Sequence, residues 1–258
     1  MKTPSIYIVI LVLLIGCKNE DKLTLAPQIF SGENCEGCPQ ISINIPQVLE
    51  ETRLAENINS SISNEITSIL LFEDTDNSQS YTIEEGIEAF KKEHREITKL
   101  YQDEVETWEA TIEGDVSYED KNMLTIILAS YLYSGGAHGY ESIRFLNFEK
   151  KTGKKLKNYE LFKDEEAFKN LAEKAFRKAE GIAENKSINA TGFMFEGETF
   201  YLPENLGFTK EGIKLLYNQY EVASYADGPI EIIIPYESAK SHLKGALKKA
   251  LATTTFED

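Results

Sequence analysis

The sequence has few of the residues on which most enzyme sites depend. It contains three histidines, three cysteines and one tryptophan among 258 residues. Neither a Gly-x-Ser-x-Gly nucleophile motif nor a His-Glu-x-x-His metal motif occurs. The histidines, His94, His138 and His242, are far apart in the chain, which disfavours a metal site. We therefore expect no metal and no cofactor, and we favour a binding protein over an enzyme.

Basic residues are outnumbered by acidic ones. The chain has 27 Lys and Arg against 43 Asp and Glu, a formal net charge of −16. Nucleic acids need a basic surface, so this balance argues against binding them. It also argues against adsorption on anionic lipid. An acidic surface attracts a cationic partner by electrostatic steering, although it also serves solubility alone.

A single apolar run stands out, over residues 6–15. It is about ten residues long, too short to span a membrane and typical of a signal-peptide core. Leu14-Ile15-Gly16-Cys17 follows and resembles the lipobox of bacterial lipoproteins. This resemblance implies a signal peptide over residues 1–16 and lipidation of Cys17. The following Lys18-Asn19-Glu20-Asp21 is similar to a surface-export signal of Bacteroidota lipoproteins.

These features predict an outer-membrane lipoprotein, either periplasmic or surface-exposed, whose only membrane contact is the lipid. Residues 17–40 are polar and without period, and we interpret them as a lipidated tether. An oxidising compartment favours a disulfide between Cys35 and Cys38. A redox Cys-x-x-Cys motif would precede a helix, whereas residues 41–45 alternate like a strand, and a zinc site would need more ligands.

Helical and strand periods alternate in the first half of the domain. Apolar residues recur at helical spacing over residues 54–72 and again after Thr82, which forms a capping box with Glu85. The period becomes two from residue 105. Residues 123–133 are apolar on both faces, as in a central strand covered on both sides.

The second half continues the same mixture. A strand over residues 141–148 and a tight turn at residues 150–154 predict a hairpin. We further predict a helix over residues 168–181, a strand over residues 230–234 and a C-terminal helix over residues 239–250. The fold class is therefore α+β, an antiparallel meander of hairpins with helices packed on it.

A glycine-rich turn joins the two central strands and holds the most conspicuous histidine. Flanking glycines would let a ligand reach His138, or His138 holds the turn by a fixed hydrogen bond. Tyrosines near this turn and in the C-terminal half are typical of sugar-stacking and protein interfaces, or pack in the core. Our binding candidates are Gly135, Gly136, His138, Tyr140, Tyr220, Glu221, Tyr225 and Tyr236.

Several motifs in this order carry a family resemblance. They are Ser134-Gly135-Gly136-Ala137-His138-Gly139, Tyr217-Asn218-Gln219-Tyr220-Glu221 and Tyr225-Ala226-Asp227-Gly228. The chain resembles the RsiV/PdaC-type extracytoplasmic domain over about residues 41–250. The resemblance implies an RsiV-ectodomain-like fold with an N-terminal α+β part, residues 41–135, and a C-terminal RsiV-like part, residues 136–258.

The resemblance also implies a role. Relatives include the ectodomain of an anti-sigma factor that binds lysozyme and the N-terminal region of a peptidoglycan deacetylase, whose chemistry belongs to a separate domain. We therefore expect an envelope protein that binds peptidoglycan, another envelope glycan or a cationic protein such as lysozyme. Two alternatives stay open: an envelope hydrolase or deacylase that uses His138 as its catalytic residue, and a structural or assembly lipoprotein.

Overall fold

The computed structural model describes residues 22–33, 35–71, 82–101, 106–245 and 247. In chain order the elements are β1 (Leu25–Ser31), β2 (Gln40–Val48), α1 (Arg53–Leu71), α2 (Ile83–Leu100), β3 (Glu109–Glu119), β4 (Met123–Tyr133), β5 (Tyr140–Glu149), β6 (Lys154–Lys155), α3 (Asn158–Leu161), α4 (Glu165–Ala179), β7 (Asn205–Phe208), β8 (Gly212–Tyr217), β9 (Ile230–Pro235) and α5 (Tyr236–Ala239). The predicted α+β class is confirmed. Among the described helices, none is long and apolar enough to cross a membrane.

The main sheet has six strands in the order β1-β2-β3-β4-β5-β6. The strands from β3 to β6 form the predicted antiparallel meander, and β1 also pairs antiparallel with β2. The pair β2–β3 is parallel, which corrects the expectation of a purely antiparallel sheet. Parallel neighbours need a long crossover connection, and the chain between β2 and β3 carries α1 and α2.

The N-terminal segment is not a tether over its whole length. Residues of β1 pair with β2 from Leu25↔Val48 to Ser31↔Ser42, and Leu25 and Phe30 pack against the core. The tether prediction for residues 17–40 is therefore wrong over β1. The sequence of β1 has no clear alternation of apolar and polar residues, because pairing with β2 rather than its own pattern makes this segment a strand. Its proline, Pro27, is tolerated because β1 is an edge strand.

The Cys-x-x-Cys segment closes the turn between β1 and β2. The sulfurs of Cys35 and Cys38 are joined, with a Cα–Cα distance of 5.4 Å. The backbone N–H of Cys38 also donates to the carbonyl of Cys35 at 3.2 Å. The strand β2 follows directly, so the pair sits in a β-turn between two strands.

The first core lies between the main sheet and α1 and α2. Ile58, Ile62 and Ile66 recur one turn apart on α1 and are fully buried against the sheet. The predicted capping box starts α2: Thr82 Oγ accepts from the Glu85 N–H at 3.2 Å, and the Glu85 carboxylate accepts from the Thr82 N–H at 2.8 Å.

The second core covers the opposite face of the main sheet. It contains α4 and a three-stranded antiparallel sheet of order β7-β8-β9. Its centre is Phe176, whose ring contacts Phe193, Phe195 and Phe200 at centroid distances of 4.9 to 5.6 Å. Met123 of β4 joins this core, whereas Leu124 of β4 joins the first. The predicted strand over residues 123–133 is confirmed. It is covered on both faces over residues 123–126, but not along its whole length, because Ala129 is exposed.

Polar contacts fix α1 to the β5–β6 hairpin. The Glu65 carboxylate binds Arg144 Nη1 at 2.6 Å and Lys155 Nζ at 2.5 Å. At the other end of the contact, Asn57 Nδ2 donates to the carbonyl of Thr152 in the hairpin turn at 2.8 Å. The helix therefore rests on the hairpin through charges as well as through apolar packing.

The predicted C-terminal helix is shorter than expected. The helix α5 covers only Tyr236–Ala239, and Leu243 then forms a bridge with Phe162. The backbone N–H of Lys163 donates to the carbonyl of His242 at 2.9 Å, and that of Lys244 to Leu161 at 3.0 Å. These tertiary hydrogen bonds replace helical ones, so the predicted helix over residues 239–250 is wrong for residues 240–244. Residues 245 and 247 are helical as predicted, and residues 246 and 248–250 lie outside the described part.

Candidate functional site

The turn between β4 and β5 needs its glycines for two different reasons. Gly135 and Gly136 both have φ of +96°, a region that side chains rarely adopt. Gly139 instead packs flush against the ring of Tyr131, where a Cβ would overlap the ring. Tyr133 Oη donates to the carbonyl of Gly136 at 3.1 Å and closes the turn.

His138 is exposed at the end of this turn, with one nitrogen already committed. Its Nδ1 lies 2.9 Å from the carbonyl oxygen of Gly139. Because a carbonyl only accepts, Nδ1 carries the hydrogen and the neutral ring leaves Nε2 as an acceptor. Among the described residues, no carboxylate hydrogen-bonds to His138, so the side chain lacks the partner that acid–base catalysis needs.

Two tyrosine rings follow the His138 ring in a row, of which the first is stacked on it and the second is tilted. The rings of His138 and Tyr225 are stacked with centroids 4.1 Å apart, and those of Tyr225 and Tyr220 are 5.6 Å apart. Tyr220 is 57% exposed and has a φ of +70°, which is unusual for a residue with a large side chain. Strain of this kind is retained where a function or a fixed geometry requires it.

Glu221 follows Tyr220 in the chain, and its Oε1 lies 3.5 Å from Asn218 Nδ2. The Tyr201 hydroxyl donates to the carbonyl of Glu221 at 3.2 Å. Burial raises the pKa of the Glu221 carboxyl, and the nearby Glu204 adds to the increase, against hydrogen bonds from Asn218. Burial and then the charge of Glu221 raise the pKa of both Tyr140 and Tyr201.

Together these side chains form one exposed region, which we call the tyrosine surface. It consists of His138, Tyr140, Tyr201, Tyr220, Glu221 and Tyr225. His138 and Tyr140 come from the start of β5 and the turn before it. The other four come from loops of the second layer, so the surface spans both layers.

Asn218 holds the two layers in register beneath the tyrosine surface. Its Oδ1 accepts from the Ile143 N–H on β5 at 2.9 Å, and its Nδ2 donates to the Ile143 carbonyl at 3.1 Å. Tyr217, the residue before it, donates its hydroxyl to the Tyr201 carbonyl at 2.5 Å. We did not predict these positioning roles; the only available signal was a polar residue directly after a buried strand.

The structure brings together five of the predicted binding residues and separates others. His138, Tyr140, Tyr220, Glu221 and Tyr225 meet in the tyrosine surface, and Gly135 and Gly136 lie in the adjoining turn. Tyr236 lies elsewhere: its ring is near Tyr118 and Phe208, and its hydroxyl donates to the Thr209 carbonyl at 2.5 Å. Tyr201 was not among the candidates. Cys17 lies outside the described residues.

The chemistry available at the tyrosine surface is that of recognition. It offers aromatic rings, hydroxyl groups and the carboxylate of the exposed Glu221. Within the described residues, no three His, Cys, Asp or Glu side chains are grouped so that they could hold a metal ion. Rigid aromatic rings supply contact area at low entropic cost, which suits binding.

Two family models match consecutive parts of the chain. The model described as Deacetylase PdaC matches residues 33–141, and that of Protein of unknown function (DUF3298) matches residues 159–237. The chain is therefore similar to the PdaC model in its first part and to the DUF3298 model in its second. The predicted PdaC/RsiV-type domain is thereby confirmed. Within this PdaC/DUF3298 arrangement the tyrosine surface draws on both regions, since His138 belongs to the first and Tyr220 to the second.

Solved structures show the same fold. A member of the DUF3298 family from Bacteroides fragilis matches with a TM-score of 0.73 at 22% identity, over 92% of this chain and 100% of that one. A DUF3298 family protein from Pseudomonas aeruginosa matches with a TM-score of 0.58 at 21% identity, over 88% of this chain and 94% of that one. No curated protein matches the chain.

Proposed function

We propose that this protein is a lipid-anchored protein of the bacterial outer membrane that binds a cell-wall glycan through the tyrosine surface. The observation that carries the proposal is the row of three neighbouring rings, His138, Tyr225 and Tyr220, at the protein surface. Aromatic faces exposed to water are costly for a monomer and pack well against the apolar faces of sugar rings. The lipobox-like Cys17 and the PdaC/DUF3298 assignment support an envelope location.

Binding fits this geometry better than hydrolysis at His138 does. The His138 Nδ1 is used by the turn itself, and the ring is held against Tyr225. A general base needs an orienting partner and a reachable proton. The Glu221 carboxyl interacts with Tyr140, Tyr201 and Asn218 rather than with His138. His138 therefore acts as a fixed part of a recognition surface.

The test is calorimetric titration of the full-length protein in detergent with soluble peptidoglycan glycan fragments. We expect binding in the micromolar to millimolar range, and we expect Tyr220→Ala and Tyr225→Ala each to weaken it by about tenfold, the value of one lost ring contact. Tyr159→Ala is the matched control, because Tyr159 is 60% exposed but lies on α3. Its affinity should equal that of the unchanged protein.

Two results would reject the glycan proposal. One is the absence of any binding at about millimolar fragment concentration, the weak limit of specific recognition. The other is unchanged affinity in both tyrosine variants. If lysozyme binds instead, and the same two variants weaken it, the ligand is a cationic protein, as the net charge of −16 also permits.

A further inference from the structure

Side chains of the second layer cap the outer edge of β5. The strand β6 pairs only with the last two residues of β5. Before them, the Asn218 carboxamide binds both backbone groups of Ile143, accepting from the N–H at 2.9 Å and donating to the carbonyl at 3.1 Å. Asn205 Oδ1 accepts from the Phe145 N–H at 3.4 Å. A strand edge that would otherwise be open is thus occupied by polar side chains.

Glu141 is the position on this edge that the capping side chains do not reach. In an antiparallel ladder, the backbone groups of alternate residues point to opposite sides of a strand. Since those of Ile143 point away from β4, those of Glu141, two residues earlier, do so as well. None of the described residues hydrogen-bonds to the N–H or the carbonyl of Glu141. Glu141 is exposed, so this donor and this acceptor are open to a ligand.

The open backbone pair lies within the tyrosine surface. On one side of Glu141, the Gly139 carbonyl accepts from His138 Nδ1 at 2.9 Å and lies 3.5 Å from the Tyr225 hydroxyl. On the other side, Asn218 occupies the next outward position, about 7 Å along the strand. A ligand bound to the Glu141 backbone is therefore within reach of the aromatic rings.

The size of the gap determines which kind of ligand it suits. A peptide that adds a strand to a sheet edge needs several open backbone pairs in a row. At Glu141 one pair is open, because Asn218 occupies the next one at Ile143. Hydroxyl and amide groups on adjacent carbons of a sugar ring offer one donor and one acceptor close together, as the Asn218 carboxamide does. A sugar ring therefore suits the gap better than a peptide strand.

We propose that the N–H and the carbonyl of Glu141 are the polar anchor of the tyrosine surface and bind two adjacent groups of one sugar ring. The ligand class is an N-acetylated amino sugar with both groups unsubstituted. Its hydroxyl oxygen accepts from the Glu141 N–H, and the acetamido N–H on the neighbouring carbon donates to the Glu141 carbonyl. This inference rests on the proposed function for the ligand. It goes further because it assigns the hydrogen bonds that orient the sugar, which aromatic rings alone do not fix.

The test is calorimetric titration of the full-length protein in detergent with the N-acetylglucosamine tetramer. Glu141→Pro removes the N–H, and proline is tolerated where the missing donor faces away from the neighbouring strand. We expect this variant to bind the tetramer about tenfold more weakly, because a polar group of the sugar loses its partner. Glu141→Ala is the matched control, since it removes the carboxylate and keeps the backbone pair. Its affinity should stay within about twofold of that of the unchanged protein.

Hydrogen exchange tests the same contact without a substitution. Followed by NMR in the unchanged protein, the Glu141 amide should exchange rapidly, because it has no partner. It should exchange about tenfold more slowly at about 90% occupancy by the tetramer, since only the free protein then exchanges. The Ile143 amide, which donates to Asn218, should be slow with and without the tetramer.

A second probe tests the donor that the sugar supplies to the carbonyl. A tetramer whose hydroxyl and amide hydrogens are replaced by methyl groups cannot donate to the Glu141 carbonyl. We expect it to bind the unchanged protein about tenfold more weakly than the unmodified tetramer. Equal affinity for the two probes would contradict this contact.

The outcomes also distinguish this inference from the function on which it rests. Unchanged affinity in folded Glu141→Pro, or unchanged exchange at Glu141 with the tetramer bound, overturns the anchor and leaves glycan binding by the rings intact. An equal loss in Glu141→Ala assigns the effect to the side chain and also overturns the anchor. If Glu141→Pro does not fold, the exchange measurement decides. Failure of the tetramer and of peptidoglycan fragments to bind overturns both the anchor and the proposed function.

Discussion

Glu65 and Glu221 show how the surroundings of a carboxylate decide its role. Burial alone would raise the pKa of Glu65, but the charge of Lys155 and hydrogen bonds from Lys155 and Arg144 outweigh it and hold the pKa below the usual value. Burial raises the pKa of Glu221, which lacks such cations. The charge of Glu65 therefore helps to stabilise the fold, whereas the pKa of Glu221 is set by burial rather than by a neighbouring cation.

The lowered pKa of Glu65 predicts a pH-dependent contribution to stability. We expect Glu65→Gln to lower the free energy of unfolding by about 2 kcal/mol at pH 7, less than a fully buried pair because Arg144 and Lys155 are partly exposed. A depressed folded-state pKa contributes stability above the unfolded pKa, about 4.3, and loses it as pH falls through the folded pKa.

Urea titrations of both proteins over a pH series measure this effect. The difference in unfolding free energy should be full at neutral pH and should shrink in acid, where Glu65 of the unchanged protein becomes protonated. The control is Glu96→Gln, because Glu96 forms an exposed pair with Lys92 on α2. A difference that stays constant from neutral pH into acid would contradict the assigned role of the Glu65 charge.

Single residues were predictable where the chemistry is local. The capping box of Thr82 and Glu85 needs only four consecutive residues, and both of its hydrogen bonds form. The meeting of Tyr220 with His138 could not be derived from periodicity, since it depends on how the second layer packs on β5. Tyr236 and Tyr225 were both candidates as tyrosines of the C-terminal half. Tyr236 nevertheless lies away from the tyrosine surface, because it follows β9 and its ring packs near Phe208.

At the scale of elements, apolar periodicity predicted the bounds correctly where the residues of the element itself show which face is buried. The strand β4 and the helix α1 follow their apolar periods to within one or two residues. The strand β1 and the end of the chain did not, because backbone partners far away in sequence decide them. Leu243 keeps its apolar spacing and is buried, yet its backbone bridges Phe162 instead of continuing a helix.

The docking of the β5–β6 turn on α1 gives a prediction about two glycines. Gly153 and Gly181 have similar φ angles, +72° and +66°, but a Cβ at Gly153 would overlap the Leu54 carbonyl, whereas Gly181 faces open space. We expect Gly181→Ala to cost about 1 kcal/mol through backbone strain alone. Gly153→Ala should cost at least about 1–3 kcal/mol more, since the helix and hairpin must separate.

Denaturant midpoints of the two alanine variants provide the comparison. Gly181→Ala serves as the control for the positive φ, so the excess cost in Gly153→Ala reports the contact between the hairpin and α1. Equal midpoints would show that this contact does not contribute to stability.

For the molecule as a whole, the main sheet belongs to both cores. Phe90 of α2 is buried in the first core and Phe176 of α4 in the second, while β4 supplies residues to each. Neither core can keep its packing if the sheet melts, so we expect one calorimetric unfolding transition. Phe90→Ala and Phe176→Ala should each lower its Tm, in line with a loss of about 3–5 kcal/mol.

Scanning calorimetry of the two variants separates shared from independent unfolding. Both variants should shift one common transition, with the calorimetric and van't Hoff enthalpies in agreement. Two resolved transitions, with each variant shifting only the one that belongs to its own core, would contradict the shared sheet. Tyr159→Ala, on the exposed side of α3, should leave the Tm unchanged.

The early start of β1 also limits the distance between the folded domain and a membrane to which Cys17 would be anchored. The chain is held from Leu23, whose N–H donates to Glu119 at 2.7 Å, and Thr24 is likewise bonded to Glu50. If Cys17 carries the lipid, about six residues connect it to Leu23, and a segment of that length can extend at most about 20 Å. A free segment that ran up to residue 40 could extend about 80 Å. The protein could then bind only ligands that lie close to the surface of the membrane that anchors it.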